Sequence, residues 1–141
     1  MTTSRIPAST LAAYRQTDYR VEAPQPFTLK IEHANQALLA LHRQYGVSSS
    51  AFITACNPYS RMLPDIQNAE RQQRLAKMLT RDGWAYLLGS GQHISGPWPA
   101  EASFLVLGVG REEAARLGRA FHQNAIVYCG ADCKPELVLL R

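Results

Sequence analysis

The chain predicts an α/β fold of the α+β kind, a mixed β-sheet with about three main helices packed on it. Three observations carry that reading. Short apolar, β-branched runs of strand length end at turn residues, and Ala51 to Cys56, stopped by Asn57-Pro58, is the clearest. Segments with apolar residues at helical spacing lie between such runs, and Gly46 and Gly83 close two of them. The resulting order is strand, helix, strand, helix, strand, strand, helix, strand, strand. It is neither a strict strand–helix alternation nor a meander, so strands of both directions are expected.

Taken in order, residues 1–8 read as a flexible lead-in to a single domain spanning 1–141. Ser9 or Thr10 is placed to cap a short helix through Leu11 to Arg15. Tyr19 to Val21 reads as the start of an edge strand, because Pro24 and Pro26 interrupt any ladder beyond it. Phe27 to Ile31 alternates apolar and polar side chains, the pattern of a strand with one covered face. Asn35 is an N-cap for a helix whose Leu38, Leu41 and Tyr45 share a stripe, with Gly46 as its C′ residue.

After the Ala51–Cys56 strand, Pro64 and Asp65 open the longest helix, which runs to Arg81. At 100° per residue, Asn68, Gln72, Leu75 and Leu79 share one side of it, and Arg71, Arg74 and Arg81 share the adjoining flank. Two amides on the face meant for the sheet need partners there. Trp84 to Leu88 and Ser103 to Val109 read as strands. Between them, Gly89-Ser90-Gly91 reads as a loop corner, and Gln92 to Glu101, with Gly96, Pro97, Trp98 and Pro99, as a long loop. Glu112 and Glu113 sit in the first turn of a helix to about His122, in which Gly118 implies close approach to a neighbour. Ala125 to Cys129 and Leu137 to Leu140 read as a terminal hairpin.

Composition sets limits on function. The chain has 141 residues, 46% hydrophobic and 18% charged, an ordinary globular make-up. Fifteen Lys and Arg against eleven Asp and Glu give a net charge of +4, too little for the dense basic face of a dedicated nucleic-acid binder. No run approaches a membrane span, and the N-terminus lacks the apolar core of a signal peptide. Cys56, Cys129 and Cys133 have no disulfide-framework spacing, so free thiols in a reducing cytoplasm are expected.

Few stretches point to chemistry. A phosphate cradle at Gly89-Ser90-Gly91 would need a helix directly after the glycines, and a Trp- and Pro-containing loop follows instead. Cys129, Cys133 and His122 fit no zinc spacing, and no metal or cofactor is expected. His93, Glu101 and Ser103 supply a base, an acid and a hydroxyl but match no known catalytic spacing. Gln123 and Asn124 serve equally as cap residues or as amides presented beside strand ends. The densest cluster is the strand–turn–helix unit itself, where Asn57, Ser60 and Arg61 follow the strand and Asn68 and Arg71 lie on the next helix. Asn both donates and accepts, and Arg takes carboxylates or phosphates in pairs of bonds.

These stretches resemble a family of short bacterial proteins known as domain of unknown function 3293. The residues that carry the likeness are Phe52-Ile53-Thr54-Ala55 with Asn57-Pro58 and Ser60, then Asn68 and Arg71, then Glu101, Ser103-Phe104 and Phe121 with Gln123-Asn124-Ala125. Tyr14 and Tyr19 look similar too. The family pattern has Trp where this chain has Cys56, so no aromatic platform is expected at that position. The resemblance implies a bacterial origin and carries no activity.

The expected function is a module that binds a small polar or anionic ligand through Asn57, Ser60, Arg61, Asn68, Arg71, Gln123 and Asn124. The alternatives are a hydrolase or nucleotide-processing enzyme with Glu101 or His93 as acid or base, and a protein-interaction or regulatory module. An apolar patch around Trp98 or a pairing edge at the last strand, as in a homodimer, would mark the latter. A network that only holds the connection in place is the competing structural account of the same residues.

Overall fold

Alternation of side chains along the strands gives this sheet two apolar faces, and the helices distribute themselves accordingly. The computed structural model describes residues 5–94 and 99–141. Among them the elements are α1 (Ala8–Arg15), β1 (Thr17–Val21), β2 (Phe27–Leu29), α2 (Gln36–Tyr45), β3 (Ser50–Ile53), α3 (Asp65–Arg81), β4 (Ala85–His93), β5 (Glu101–Leu107), α4 (Arg111–Ala120), β6 (Ala125–Cys129) and β7 (Glu136–Leu139). The strands form a seven-stranded sheet in the order β2-β1-β4-β5-β3-β6-β7. The α+β class therefore holds.

Every junction is antiparallel, where a sheet of mixed direction was expected. The reason lies in the crossovers. Helix α3 joins β3 to β4, which run the same way, but β5 inserts between them; α4 joins β5 to β6, and β3 inserts between those. Interleaving two crossovers keeps parallel strands apart. From β3 to β6 this is the β-α-β-β-α-β split arrangement of ferredoxin-like folds, extended by β1 and β2 on one side and β7 on the other.

Phe52 of β3, Leu105 and Leu107 of β5 and Cys129 of β6 point to one face, where Leu38 and Leu41 of α2 join them in a core. Ala51, Ile53, Phe104, Val106 and Ile126 point to the other, against Leu75 and Leu79 of α3 and Ala114 of α4. Asn35 caps α2 as expected, its Oδ1 accepting from Leu38 N at 3.0 Å, and Gly46 ends it with φ of 65°. Tyr45, expected on the buried stripe, is exposed, and His42 is buried in its place. At Gly118, a Cβ would lie 2.5 Å from Leu140 and 2.8 Å from Ile126, so α4 sits hard on the terminal hairpin.

Several local expectations change. Gly89, Ser90 and Gly91 belong to β4, paired with β1 on one side and β5 on the other, and form no loop corner. A Cβ at Gly89 would lie 2.7 Å from the Arg20 carbonyl oxygen and 2.8 Å from the Phe52 ring, so close approach, and not a turn, explains this glycine. The edge beside β1 is taken by β2, and Pro24 and Pro26 lie in the turn between these two strands. The run Ala51–Cys56 leaves the ladder after Ile53, because side chains capture its backbone from there on. Of the expected lead-in, residues 1–4 lie outside the described residues, while Ile6 is buried and Ala8 opens α1. Of the loop expected over Gln92 to Glu101, Gln92 and His93 belong to β4 and Glu101 to β5, while Gly96, Pro97 and Trp98, with the apolar patch at Trp98, fall outside the described residues. No described helix is long and apolar enough to cross a membrane.

Candidate functional site

The connection from β3 to α3 departs from regular backbone at Asn57, Tyr59 and Ser60, which have φ of 47°, 53° and 60°. Non-glycine residues at such angles cost free energy and persist where their surroundings hold them. Helix α3 supplies that hold. Gln72 Oε1 accepts from Ala55 N at 2.9 Å, and Asn68 Oδ1 accepts from Asn57 N at 2.9 Å. Arg71 donates Nε to the Ala55 carbonyl at 2.6 Å and Nη2 to the Phe121 carbonyl, fastening the connection to the end of α4. From the far side, Gln123 Nε2 donates to the Cys56 carbonyl at 3.0 Å. The two amides on the sheet-facing side of α3 thus satisfy a stretch of chain that has left the ladder. Among the described residues Gln72 Nε2 is a buried donor without a partner.

Asn57 is the junction of this network. Its Oδ1 accepts from Leu63 N at 2.9 Å and from Asn68 Nδ2 at 2.8 Å, which directs its Nδ2 to Glu101 Oε2 at 2.9 Å. Glu101 opens β5 on the same face as Ser103 and Leu105. Toward Leu107 that face is covered by α2; toward Glu101 it is roofed by α1, and a cavity of about 650 Å³ remains between. Phe52, Tyr19 and Val127 form much of its floor, and Tyr14 of α1 and His93 of β4 its sides. Gly91, opposite Glu101 in the ladder, contributes no side chain and leaves the space open. Burial pushes the Glu101 carboxyl above its ordinary value, and the Asn57 amide offsets part of that by bonding the ionised form.

The expected site residues divide accordingly. Asn57, Ser60, Gln123, Glu101 and His93 line the cavity, whereas Arg61, Asn68, Arg71 and Asn124 do not. Arg71 and Asn68 are spent on the connection. Asn124 Nδ2 donates to Tyr14 Oη at 3.1 Å and to Ser60 Oγ at 3.3 Å, and these two hydroxyls lie 2.5 Å apart, so this group ties the roof helix to the loop. Phe52 and Thr54, which carry the family likeness, also line the cavity, with Thr17 and the inner face of α1, though none of them stands out in the sequence as a site residue. The signal for this face was the period-two set Glu101, Ser103, Leu105, which puts an acid and a hydroxyl on an otherwise apolar face.

The cysteines are free and buried. Burial pushes the Cys56 thiol up, which suits a core residue and not a nucleophile. Cys129 and Cys133 lie in the core on the α2 face, while His122 is exposed and stands against Tyr59, so the three are not assembled. Among the described residues no group of His, Cys, Asp and Glu is gathered to hold a metal ion.

Fold and site together define an antiparallel α+β protein with a β-α-β-β-α-β core and a cavity on the sheet face that α1 and α2 share. The chain belongs to the family described as protein of unknown function (DUF3293), whose model matches residues 53–126, a little over half of its length. The match runs from β3 into β6 and takes in Asn57, Asn68, Arg71, Glu101 and Gln123. No curated protein and no solved structure matches the chain.

Proposed function

We propose that the protein is a small-molecule-binding module whose site is the cavity between α1 and the sheet, with Glu101 and Asn57 at its polar end. One observation supports this above the others: a carboxyl raised by burial, aimed by an amide whose oxygen is itself held by two donors, borders about 650 Å³ of space. Volumes of this order suit small organic ligands, and an apolar cavity with a few convergent polar groups is the usual form of their sites. A network that only closed the β3–α3 connection would not need a carboxylate there, since Asn68, Arg71 and Gln72 already do that work. The ligand is polar at one end. Arg61 and Arg71, the cations that favoured an anion, lie outside the cavity lining.

A panel of small ligands read by thermal shift tests the proposal. Gly91→Val is the informative variant, because the nearest atoms to a Cβ there are Thr17 Cγ2 at 3.6 Å and the Tyr19 ring at 3.9 Å, ordinary contacts, and β-branched residues suit a strand. The wild type should be stabilised by some member of the panel and the folded Gly91→Val protein should not. Equal stabilisation of both would move the site elsewhere.

A second reading is favoured by Glu101 itself. A carboxyl raised by burial and sharing a cavity with His93 is the arrangement of a general acid or base, as in a hydrolase or a nucleotide-processing enzyme. Turnover of ester or phosphoester substrates that disappears in Glu101→Gln, with ligand binding retained, would establish it.

A further inference from the structure

We infer that the ligand of this cavity carries an amine on an apolar body, and that it binds as the ammonium ion paired with the Glu101 carboxylate; this rests on reading the cavity as the binding site.

The charge of the cavity wall favours a cation. No Lys or Arg is among the described residues that line the cavity, and Glu101 is the acid among them. An anionic head group would be desolvated beside a like charge with no Lys or Arg in the lining to offset it, which is unfavourable, whereas an ammonium ion would bring a counter-charge to the carboxylate.

Hydrogen-bonding direction at Glu101 favours a donor. Asn57 is locked by Leu63 N and Asn68 Nδ2 on its oxygen, so its amide hydrogens, not its carbonyl, face Glu101. Among the described residues, Asn57 is the donor to the carboxylate, and it engages Oε2. A carboxylate has room for about four hydrogen bonds. What it presents to the cavity is therefore acceptor capacity, which an ammonium group with three donors satisfies and a carboxylate, ester or phosphate does not.

On the remainder of the wall, the Tyr19 and Phe52 rings meet edge to face with centroids 5.2 Å apart, and Val127 and Leu137 continue the apolar surface. This suits a hydrocarbon body, and aromatic rings near an ammonium ion add attraction.

Burial raises the empty site's carboxyl, and the ionisable groups that act on it or share its cavity are Tyr19 from β1, Cys56 from the connection, Tyr14 from α1 and His93 from β4. Tyr19 and Cys56 are themselves held protonated by burial. An arriving ammonium ion favours the ionised carboxylate, so the fraction of Glu101 still protonated releases its proton to solvent as the pair forms.

Isothermal titration calorimetry with 2-phenylethylamine, 2-phenylethanol and phenylacetate tests this on the intact protein. The amine should bind at least about tenfold more tightly than the alcohol, the ratio one charge-assisted bond supplies over a neutral one. Phenylacetate should not bind, and at pH 4.5, where the raised carboxyl keeps a protonated fraction, the amine's heat should vary with the ionisation enthalpy of the buffer. In Glu101→Gln the amine and the alcohol should bind alike. Equal binding of amine and alcohol to the wild type, tighter binding of phenylacetate, or an amine preference that survives Glu101→Gln would overturn the inference and leave the cavity reading standing. Binding of none of the three would remove both. The wild-type comparison decides the matter even where the variant folds poorly.

Discussion

The side chain of Asn57 bonds in two directions at once: its oxygen accepts from Leu63 N and Asn68 Nδ2 at 2.9 and 2.8 Å, and its nitrogen donates to Glu101 Oε2 at 2.9 Å. One residue thereby couples the backbone of the β3–α3 connection to the acid at the cavity. Loop geometry and carboxylate position are a single problem in this protein.

Replacing Asn57 with Ala should therefore do two things. It leaves Leu63 N without its acceptor and Glu101 without its donor, and leaves Asn68 Nδ2 with only the longer bond to the Leu63 carbonyl, at a cost of about 1–3 kcal/mol for the first group left unsatisfied. Chemical denaturation should register that loss. The Glu101 carboxyl should also rise further, which carbon-13 NMR of the labelled side chain would follow. An unchanged Glu101 titration would deny the coupling.

Arg71 is expected to act on stability and not on ligand affinity. Arg71→Lys keeps the charge but cannot span the Ala55 and Phe121 carbonyls as the guanidinium does. A loss of about 1–3 kcal/mol in denaturant unfolding should accompany intact ligand binding in the folded fraction. Loss of affinity without loss of stability would return Arg71 to the ligand.

Stability should depend on pH through two buried groups of opposite sign. Glu101 has a raised carboxyl in the folded state, so above its ordinary value of 4.5 the native protein holds more protons than the unfolded chain, and stability falls as pH rises through that interval. His42, buried with Nε2 2.8 Å from Ser50 Oγ, is lowered from 6.5 by burial. The unfolded chain then holds more protons, and stability is lost as pH falls through 6.5. Glu101→Gln should abolish the first slope and leave the second. Urea unfolding across the acidic range is the measurement, and identical slopes in both proteins would refute the assignment.

Gly89→Ala should destabilise by about 1–3 kcal/mol through overpacking, since the added methyl meets the Arg20 carbonyl at 2.7 Å and the Phe52 ring at 2.8 Å. Gly91→Ala, two residues on along the same strand, should fold as the wild type does. Comparable melting temperatures for both would contradict the close packing of β1 and β3 against β4.

Much of this molecule was determined locally and so was readable from the chain. The caps of α2 at Asn35 and Gly46, the bounds of α3 at Asp65 and Arg81, the β6–β7 hairpin and the close approach at Gly118 follow from interactions between near neighbours or from side-chain size. Family membership, too, was carried by short runs of residues around Asn57 and Gln123. Strand order was not local. Whether β5 inserts between β3 and β4 depends on which strands complete each other's hydrogen bonds across dozens of residues, and the alternation within each strand is the same either way. The site divided along the same line. That Asn57, Asn68 and Arg71 converge was legible from turn and helix spacing, but their partners are backbone groups at Ala55, Leu63 and Phe121, which no side-chain pattern announces. Only the tertiary structure joined Glu101 to Asn57, forty-four positions away, and roofed the open end of the sheet with α1 to leave a cavity there. Local chemistry chose the elements; the pairing of buried polar groups between them decided where the cavity lies.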